Sequence, residues 1–106
     1  MNTFVNLTAH DIYEVTTGQK FPASGRVARV KTMSVTTDTI SSIPIYDIKF
    51  GEIQGLPDPA DNTIYIVSAL TLKAVPEHRT DVVAPGSVQR NEHGQVIGCV
   101  GFRAKD

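Results

Sequence analysis

The excess of β-branched residues is the feature that most constrains the fold of this chain. Its 106 residues include 12 Val, 9 Ile and 11 Thr, against 4 Leu, 8 Ala and 2 Met. β-branched side chains lose rotamer freedom in a helix and pack well on a pleated sheet. The sequence therefore predicts a mainly β protein, with residues 1–106 forming one antiparallel sheet domain, either a small barrel or a sandwich.

Alternation of apolar and polar residues divides the chain into about seven candidate strands. Residues 26–36 form the longest of them, ending before a polar stretch at 37–39. The run at 64–67 is continuously apolar, which is typical of a central strand buried on both faces. In residues 46–50, the alternation predicts that the side chains of Tyr46, Ile48 and Phe50 point inward.

Turn and cap residues refine this pattern. Residues 68–75 are fair helix formers between Ser68, an expected N-cap, and a proline, so they form one short helix or a continuation of the preceding strand. Pro85 and Gly86 are expected to end a strand at Ala84. The loop at 91–94 ends in glycine and predicts a hairpin. Gly98 and Gly101 lie in the last strand, where glycine marks curvature or close approach of another backbone.

Charge and cysteine content exclude several classes of function. Ten Lys and Arg against eleven Asp and Glu give a net charge of -1, so we expect no uniformly basic surface and no non-specific binding of nucleic acid. The lone Cys99 cannot form an internal disulfide and suits a reducing compartment. No spacing of His, Cys, Asp or Glu typical of a metal site occurs, so we expect no metal and no other cofactor. No segment is apolar enough to span a membrane, so we expect the protein to reside in the cytoplasm.

A cationic segment is the strongest candidate for a binding site. Residues 24–31 combine the backbone donors of a Ser-Gly turn with three cations, and arginine's planar fork suits phosphate and carboxylate oxygens. The candidate anion-binding residues are Ser24, Arg26, Arg29 and Lys31, with His10, Arg79, Asp81 and Arg90 as further candidates. The alternative is a solvated strand face whose charges neighbour Asp47 and Glu52. His10 has a second alternative, which is to order the first turn together with Asn6 and Thr8.

Catalytic motifs are lacking in the sequence. Cys99 lies between glycines in a candidate strand, where a lone cysteine behaves as a small buried hydrophobe. No Gly-x-Ser-x-Gly elbow and no Walker-type glycine loop occur. We therefore assign no catalytic residue.

The order of several short motifs resembles a family of small, mostly uncharacterised phage and prophage proteins. These motifs are Asn-Leu-Thr-Ala-His at 6–10, Pro-Ala-Ser-Gly-Arg-Val-Ala-Arg at 22–29, Gly-Leu-Pro at 55–57, Tyr-Ile-Val-Ser at 65–68, Arg-Thr-Asp at 79–81 and the closing segment 90–99. Position 9 departs from the family pattern, since alanine stands where proline is expected.

The resemblance implies an accessory protein that acts by binding. Such a protein would sequester a nucleotide-like or other anionic small molecule, or inhibit a host defence protein, in the cytoplasm of the host cell. The alternative is a minor structural or assembly component of the virion, and a hydrolase or metal-dependent enzyme is the third. Self-association is also expected, because a small sheet has edges that need pairing.

Overall fold

Residues 2–105, which the computed structural model describes, form eight strands and one helix. The predicted domain 1–106 begins and ends with Met1 and Asp106, which lie outside the described residues. The elements are β1 (Thr3–Asn6), β2 (Ile12–Glu14), β3 (Gln19–Phe21), β4 (Arg29–Ile40), β5 (Ile43–Gln54), β6 (Thr63–Ile66), α1 (Ala69–Ala74), β7 (Val82–Arg90) and β8 (Val96–Ala104). The prediction of a mainly β protein with one short helix is confirmed.

Six of these strands make one mixed sheet, in the order β1-β6-β7-β8-β2-β3. The pairs β7–β8 and β2–β3 are antiparallel, whereas β1–β6, β6–β7 and β2–β8 are parallel. The parallel pair β6–β7 follows from α1, which lies between the two strands in the chain and carries it back across the sheet. Antiparallel pairing therefore holds where a short turn joins two strands.

The sheet closes almost into a barrel. Its two end strands come together, because Asn6 at the end of β1 forms a bridge with Ala23, and the N–H of Ser24 donates to the Asn6 carbonyl at 3.1 Å. Phe4, Phe21 and Phe102, from β1, β3 and β8, form a cluster with ring centroids 5.3 to 5.5 Å apart. Of the two predicted architectures, the structure is closer to the barrel.

The core lies between this sheet and α1. Ser68 caps the helix, since its side-chain oxygen accepts from the Thr71 N–H, and the helix ends before Pro76 as the sequence predicts. The core is filled by buried residues of β6, α1 and β7 and of the segments that adjoin β1, β4, β6 and α1; they are Leu7, Ala28, Tyr65, Val67, Leu72, Val75, Val82 and Ala84. Within residues 2–105 there is no helix of the length and apolar character that crossing a membrane requires.

Strands β4 and β5 form a long two-stranded ribbon. Each has 12 residues, which at about 3.3 Å per residue gives a length of about 40 Å. The radius of gyration is 16.3 Å, whereas a compact chain of this length has about 13 Å. Ser41 and Ser42, both with positive φ, form the two-residue turn at the tip, as in the primed turns that suit hairpins.

Two predictions about the segment that forms the ribbon are wrong. The predicted end of the strand at residue 36 is wrong, since β4 continues through the polar residues 37–39 to Ile40. Tyr46, Ile48 and Phe50 do not point into a core, since they are 61%, 47% and 40% exposed. Alternation distinguishes the two faces of a strand, but it does not show whether anything covers the apolar face.

The prediction that Pro85 and Gly86 end a strand is also wrong. β7 continues to Arg90, and Pro85 pairs with Phe102 of β8. Strand β6 pairs only with Val82 and Val83 of β7 within the described residues, so from Ala84 onward β7 has a free edge on that side. An edge strand tolerates a proline, because the absent N–H is not needed for a ladder on the free side.

Candidate anion-binding groove

Asn6 builds the turn that follows β1. Its buried side-chain amide donates to the carbonyls of His10 and Phe21, both at 2.8 Å. Its side-chain oxygen accepts from the backbone N–H and the hydroxyl of Thr8, at 2.9 and 2.6 Å. Asn6 and Thr8 order this turn through the backbone carbonyl of His10, so the ordering role expected of the His10 side chain falls to its main chain. The imidazole remains at the surface.

The segment preceding β4 packs against this turn. The N–H of Ala28 donates to the Leu7 carbonyl at 2.9 Å, and both residues are buried. On the other side, the Thr71 hydroxyl of α1 lies 3.5 Å from the Ala28 carbonyl. The turn after β1, the segment before β4 and the start of α1 therefore meet at Ala28.

These three segments surround an open groove of about 360 Å³. Its polar lining residues are Thr8, His10, Arg29, Ser68 and Thr71. We call it the His10–Arg29 groove. The Thr8 hydroxyl bonds to Asn6 and to the His10 carbonyl, and the Ser68 hydroxyl bonds to Thr71. The hydroxyls are therefore used within the fold, which leaves the imidazole of His10 and the guanidinium of Arg29 as the groups that face a ligand.

No family model, curated protein or solved structure matches this chain. The function is therefore argued from the geometry of the chain's own residues.

Positive charge near the groove is not neutralised by direct contact. The side chains of Arg26, Arg29 and Lys31 are exposed, and none forms an ion pair with another described residue. Asp47 and Glu52, the expected neighbours, do not pair with them in residues 2–105. The cationic segment thus has charge available for an anionic ligand.

Of the cationic segment, Arg29 lines the groove, whereas Ser24, Arg26 and Lys31 are not among its lining residues. Arg26 lies beside a different cavity, next to Gly55 and Pro57. The Ser24 hydroxyl bonds to the backbone of Arg26 at 3.3 Å. Lys31 lies two residues beyond Arg29 in β4, beside Gly51 of β5, and does not line the groove. Of the eight candidate residues, His10 and Arg29 are the pair that shares the groove.

Arg79, Asp81 and Arg90 lie elsewhere and hold loops in place. The Arg79 guanidinium binds both carboxylate oxygens of Asp81, at 2.9 and 3.1 Å, and the Pro57 carbonyl at 3.0 Å. Hydrogen bonds from Arg79 lower the pKa of Asp81, and the pKa of Arg79 is raised in return. Arg90 donates to the Gly94 carbonyl at 2.8 Å across the β7–β8 hairpin loop.

The thiol of Cys99 is poorly suited to nucleophilic catalysis. Burial raises its pKa, and the charge of Glu14 adds to this effect, so the thiolate is disfavoured. The cavity of about 260 Å³ beside it is lined by apolar residues such as Tyr13, Val88 and Ile97. Among residues 2–105, no three His, Cys, Asp or Glu side chains cluster in a way that could hold a metal ion.

The sequence identified the imidazole and the guanidinium of the groove as candidates, but not the residues that form its walls. Ser68 is recognisable as a helix cap, yet its position beside His10 depends on the packing of α1 against the segment before β4. Such contacts join residues more than 40 positions apart, as for Thr71 and Ala28. No local signal in the sequence reports them.

Proposed function

We propose that this protein acts by binding, and that the His10–Arg29 groove holds an anionic, phosphate-bearing small molecule of the nucleotide type. The observation that carries the proposal is that an unpaired guanidinium and an imidazole share one groove whose hydroxyls are all engaged in the fold. Arginine can offer two parallel N–H donors to a phosphate, and a ring nitrogen of histidine can donate a third hydrogen bond.

Two properties of the groove support a small ligand. Its volume of about 360 Å³ lies at the lower end of the range of roughly 300–1,000 Å³ for small-molecule sites. Its turn is held by the four hydrogen bonds of Asn6, so little backbone must be ordered when a ligand binds.

The biological role we propose is sequestration. A phage-type accessory protein of this kind would lower the free concentration of a nucleotide-like signal in the host cytoplasm. Inhibition of a host defence protein by direct contact belongs to the same proposal, but the groove favours the small ligand. We propose no enzymatic step, because the groove contains neither an activated nucleophile nor a carboxylate.

Calorimetric titration and thermal-shift assays with inorganic phosphate, mononucleotides and cyclic dinucleotides test the proposal. Saturating ligand should raise the melting temperature, as any ligand that binds the folded state does. Arg29→Ala should reduce affinity at least tenfold, and His10→Ala should reduce it by a smaller factor. Arg103→Ala removes the same charge from an exposed position beside another cavity and should leave affinity unchanged. Absence of binding by every probe, or equal loss in R29A and R103A, would overturn the proposal.

A second candidate function is a structural role in particle assembly. The observation that favours it is the exposed ribbon of β4 and β5, whose long edges and exposed apolar side chains are available for contact with other subunits. Stoichiometric amounts of the protein in purified phage particles, measured by mass spectrometry, together with no thermal shift for any nucleotide, would favour this role over sequestration.

A further inference from the structure

One face of the ribbon carries no charge over its middle portion. The register pairs Thr32 with Phe50, Ser34 with Ile48, and Thr36 with Tyr46. Residues paired directly across an antiparallel ribbon lie on the same face, so these six share one face. We call them the ribbon face. Its two stripes differ in size, since β5 supplies the large side chains and β4 the small hydroxyl-bearing ones.

The opposite face differs in character. There Met33 pairs with Lys49 and Val35 pairs with Asp47, so charged side chains interrupt the apolar ones. The ribbon face also continues from the core. At the root of the ribbon, Val30 pairs with Ile53, and Ile53 packs partly buried against the core cluster. The apolar surface that the body covers at Ile53 is therefore uncovered farther along the ribbon.

We propose that the ribbon face is covered by the ribbon face of a second copy of this chain, related by a twofold axis. A twofold interface requires a surface that is complementary to itself. The ribbon face meets this requirement, because a twofold rotation places the large stripe of one copy over the small stripe of the other. The absence of charge on the six residues means that neither copy must bury an unpaired ion.

The exposed area is sufficient for such a dimer. Tyr46, Ile48 and Phe50 are 61%, 47% and 40% exposed, and Thr39 and Pro44, the next pair on the same face toward the tip, are also exposed. With the three small residues of β4, these side chains expose on the order of 600 Å², which is what each partner contributes at the lower end of the roughly 1,200–2,000 Å² range of specific interfaces.

The ribbon also needs a partner for its own stability. A two-stranded hairpin is marginally stable in water when no third strand or helix covers it. Eight pairs of the ribbon, from Thr32–Phe50 to Ile40–Ile43, extend past the root where Ile53 meets the core. Packing of two ribbons face to face supplies the missing layer.

The oligomeric state of matched variants tests this inference. Light scattering coupled to size exclusion at about 100 µM should give twice the chain mass of 11.5 kDa for the wild type. Ile48→Lys places a charge at the centre of the ribbon face and should give a monomer. Met33→Lys changes a residue that is more exposed, at 67%, but lies on the opposite face, and should remain dimeric.

Three results would overturn the proposal: a monomeric wild type at this concentration, an I48K variant that remains dimeric, or an M33K variant that dissociates to the same extent. Circular dichroism of each variant checks that the body is folded. If I48K is insoluble, Ser34→Lys adds a charge to the same face without removing an apolar side chain, and the same expectations hold. Nucleotide titration is a separate measurement, so failure of the groove proposal leaves this test intact.

Discussion

The Glu14 carboxylate accepts a hydrogen bond of 2.8 Å from the backbone N–H of Gly101, 87 residues farther along the chain. The same carboxylate accepts bonds from the N–H and hydroxyl groups of Thr16 and Thr17, at 2.6 to 3.0 Å. The Thr16 hydroxyl, the Gly101 N–H and the Thr17 hydroxyl together hold the pKa of Glu14 far below its ordinary value. One side chain thus fixes the turn after β2 to strand β8.

Replacement of Glu14 by Gln should destabilise the fold strongly. The amide keeps one acceptor oxygen but turns an NH2 group toward N–H and hydroxyl donors that the carboxylate satisfied. We expect the melting temperature, followed by circular dichroism at pH 7, to fall by more than about 5 °C. Glu52→Gln, an exposed position, is the control and should change it little. Equal melting temperatures for the two variants would contradict this role of Glu14.

The lowered pKa of Glu14 also predicts how stability depends on pH. In the unfolded chain this carboxyl takes up a proton as the pH falls through about 4.5, whereas in the folded protein it stays ionised to much lower pH. The contribution of Glu14 is therefore fully present above about pH 4.5 and decreases as the pH falls below it. Urea midpoints measured from pH 7 to pH 3 should decline less steeply in Glu14→Gln than in the wild type. Parallel curves would show that Glu14 contributes no such dependence.

Arg79 and Asp81 should act as one structural unit. The pair is largely buried, and removal of Arg79 leaves the Asp81 carboxylate and the Pro57 carbonyl without their donors. We expect Arg79→Ala to lower the free energy of unfolding by about 2–3 kcal/mol in urea titrations. The double variant with Asp81→Ala should lose less than the sum of the two single losses. Strict additivity would mean that the two side chains do not stabilise the fold together.

Local signals in the sequence account for the elements whose structure depends on nearby residues. The buried strand β6 and the loop at 91–94 are each encoded within about ten residues and form as predicted. Of the two alternatives for residues 68–75, the structure shows the helix capped by Ser68. The ribbon tip was missed because Ser41 and Ser42 are not typical of a turn with positive φ at both positions. A Ser-Ser sequence gives no signal that distinguishes this turn from a strand.

Local sequence patterns do not predict which distant segments of the chain come into contact. The parallel pairing of β1 with β6 joins residues about 60 positions apart, and nothing in either strand specifies its partner. For the groove, His10 and Arg29 were candidate ligand-binding residues from the sequence, but their proximity depends on the contact of Ala28 with Leu7. Arg79 and Asp81 are residue types that also occur in anion-binding sites, which is why the sequence suggested them. In the structure they form an ion pair with each other.

Substitution of Gly98 tests how closely β8 approaches β2. A Cβ atom at this position would lie 2.5 Å from the Tyr13 carbonyl oxygen and 2.9 Å from a methyl of Val15. Because a carbonyl in a strand cannot move freely, Gly98→Ala should cost about 2–4 kcal/mol in unfolding free energy. Gly94→Ala is the matched control: it has positive φ but open space, so its cost should be about 1 kcal/mol. A cost for G98A no larger than that for G94A would contradict the close approach.

Asn6 links the stability of the fold to the proposed groove. Asn6→Asp keeps the shape of the side chain but replaces the NH2 donor by an oxygen that faces the carbonyls of His10 and Phe21, each 2.8 Å from the donor in the wild type. At pH 7 we expect a loss of about 2–3 kcal/mol in urea unfolding, because two acceptors lose their donor and a buried charge is added. At pH 4 a larger fraction of the introduced carboxyl is protonated and can donate to one carbonyl, so the loss should be smaller.

The same variant separates positioning of His10 from direct contact with a ligand. If the turn presents the imidazole, N6D should weaken phosphate or nucleotide binding under conditions in which the protein is still folded, and lowering the pH toward 4 should bring its affinity closer to that of the wild type at the same pH. His10→Ala should weaken binding without altering the urea midpoint, because the imidazole forms no hydrogen bond with another described residue. An N6D variant with wild-type affinity would show that the turn does not position His10 for binding.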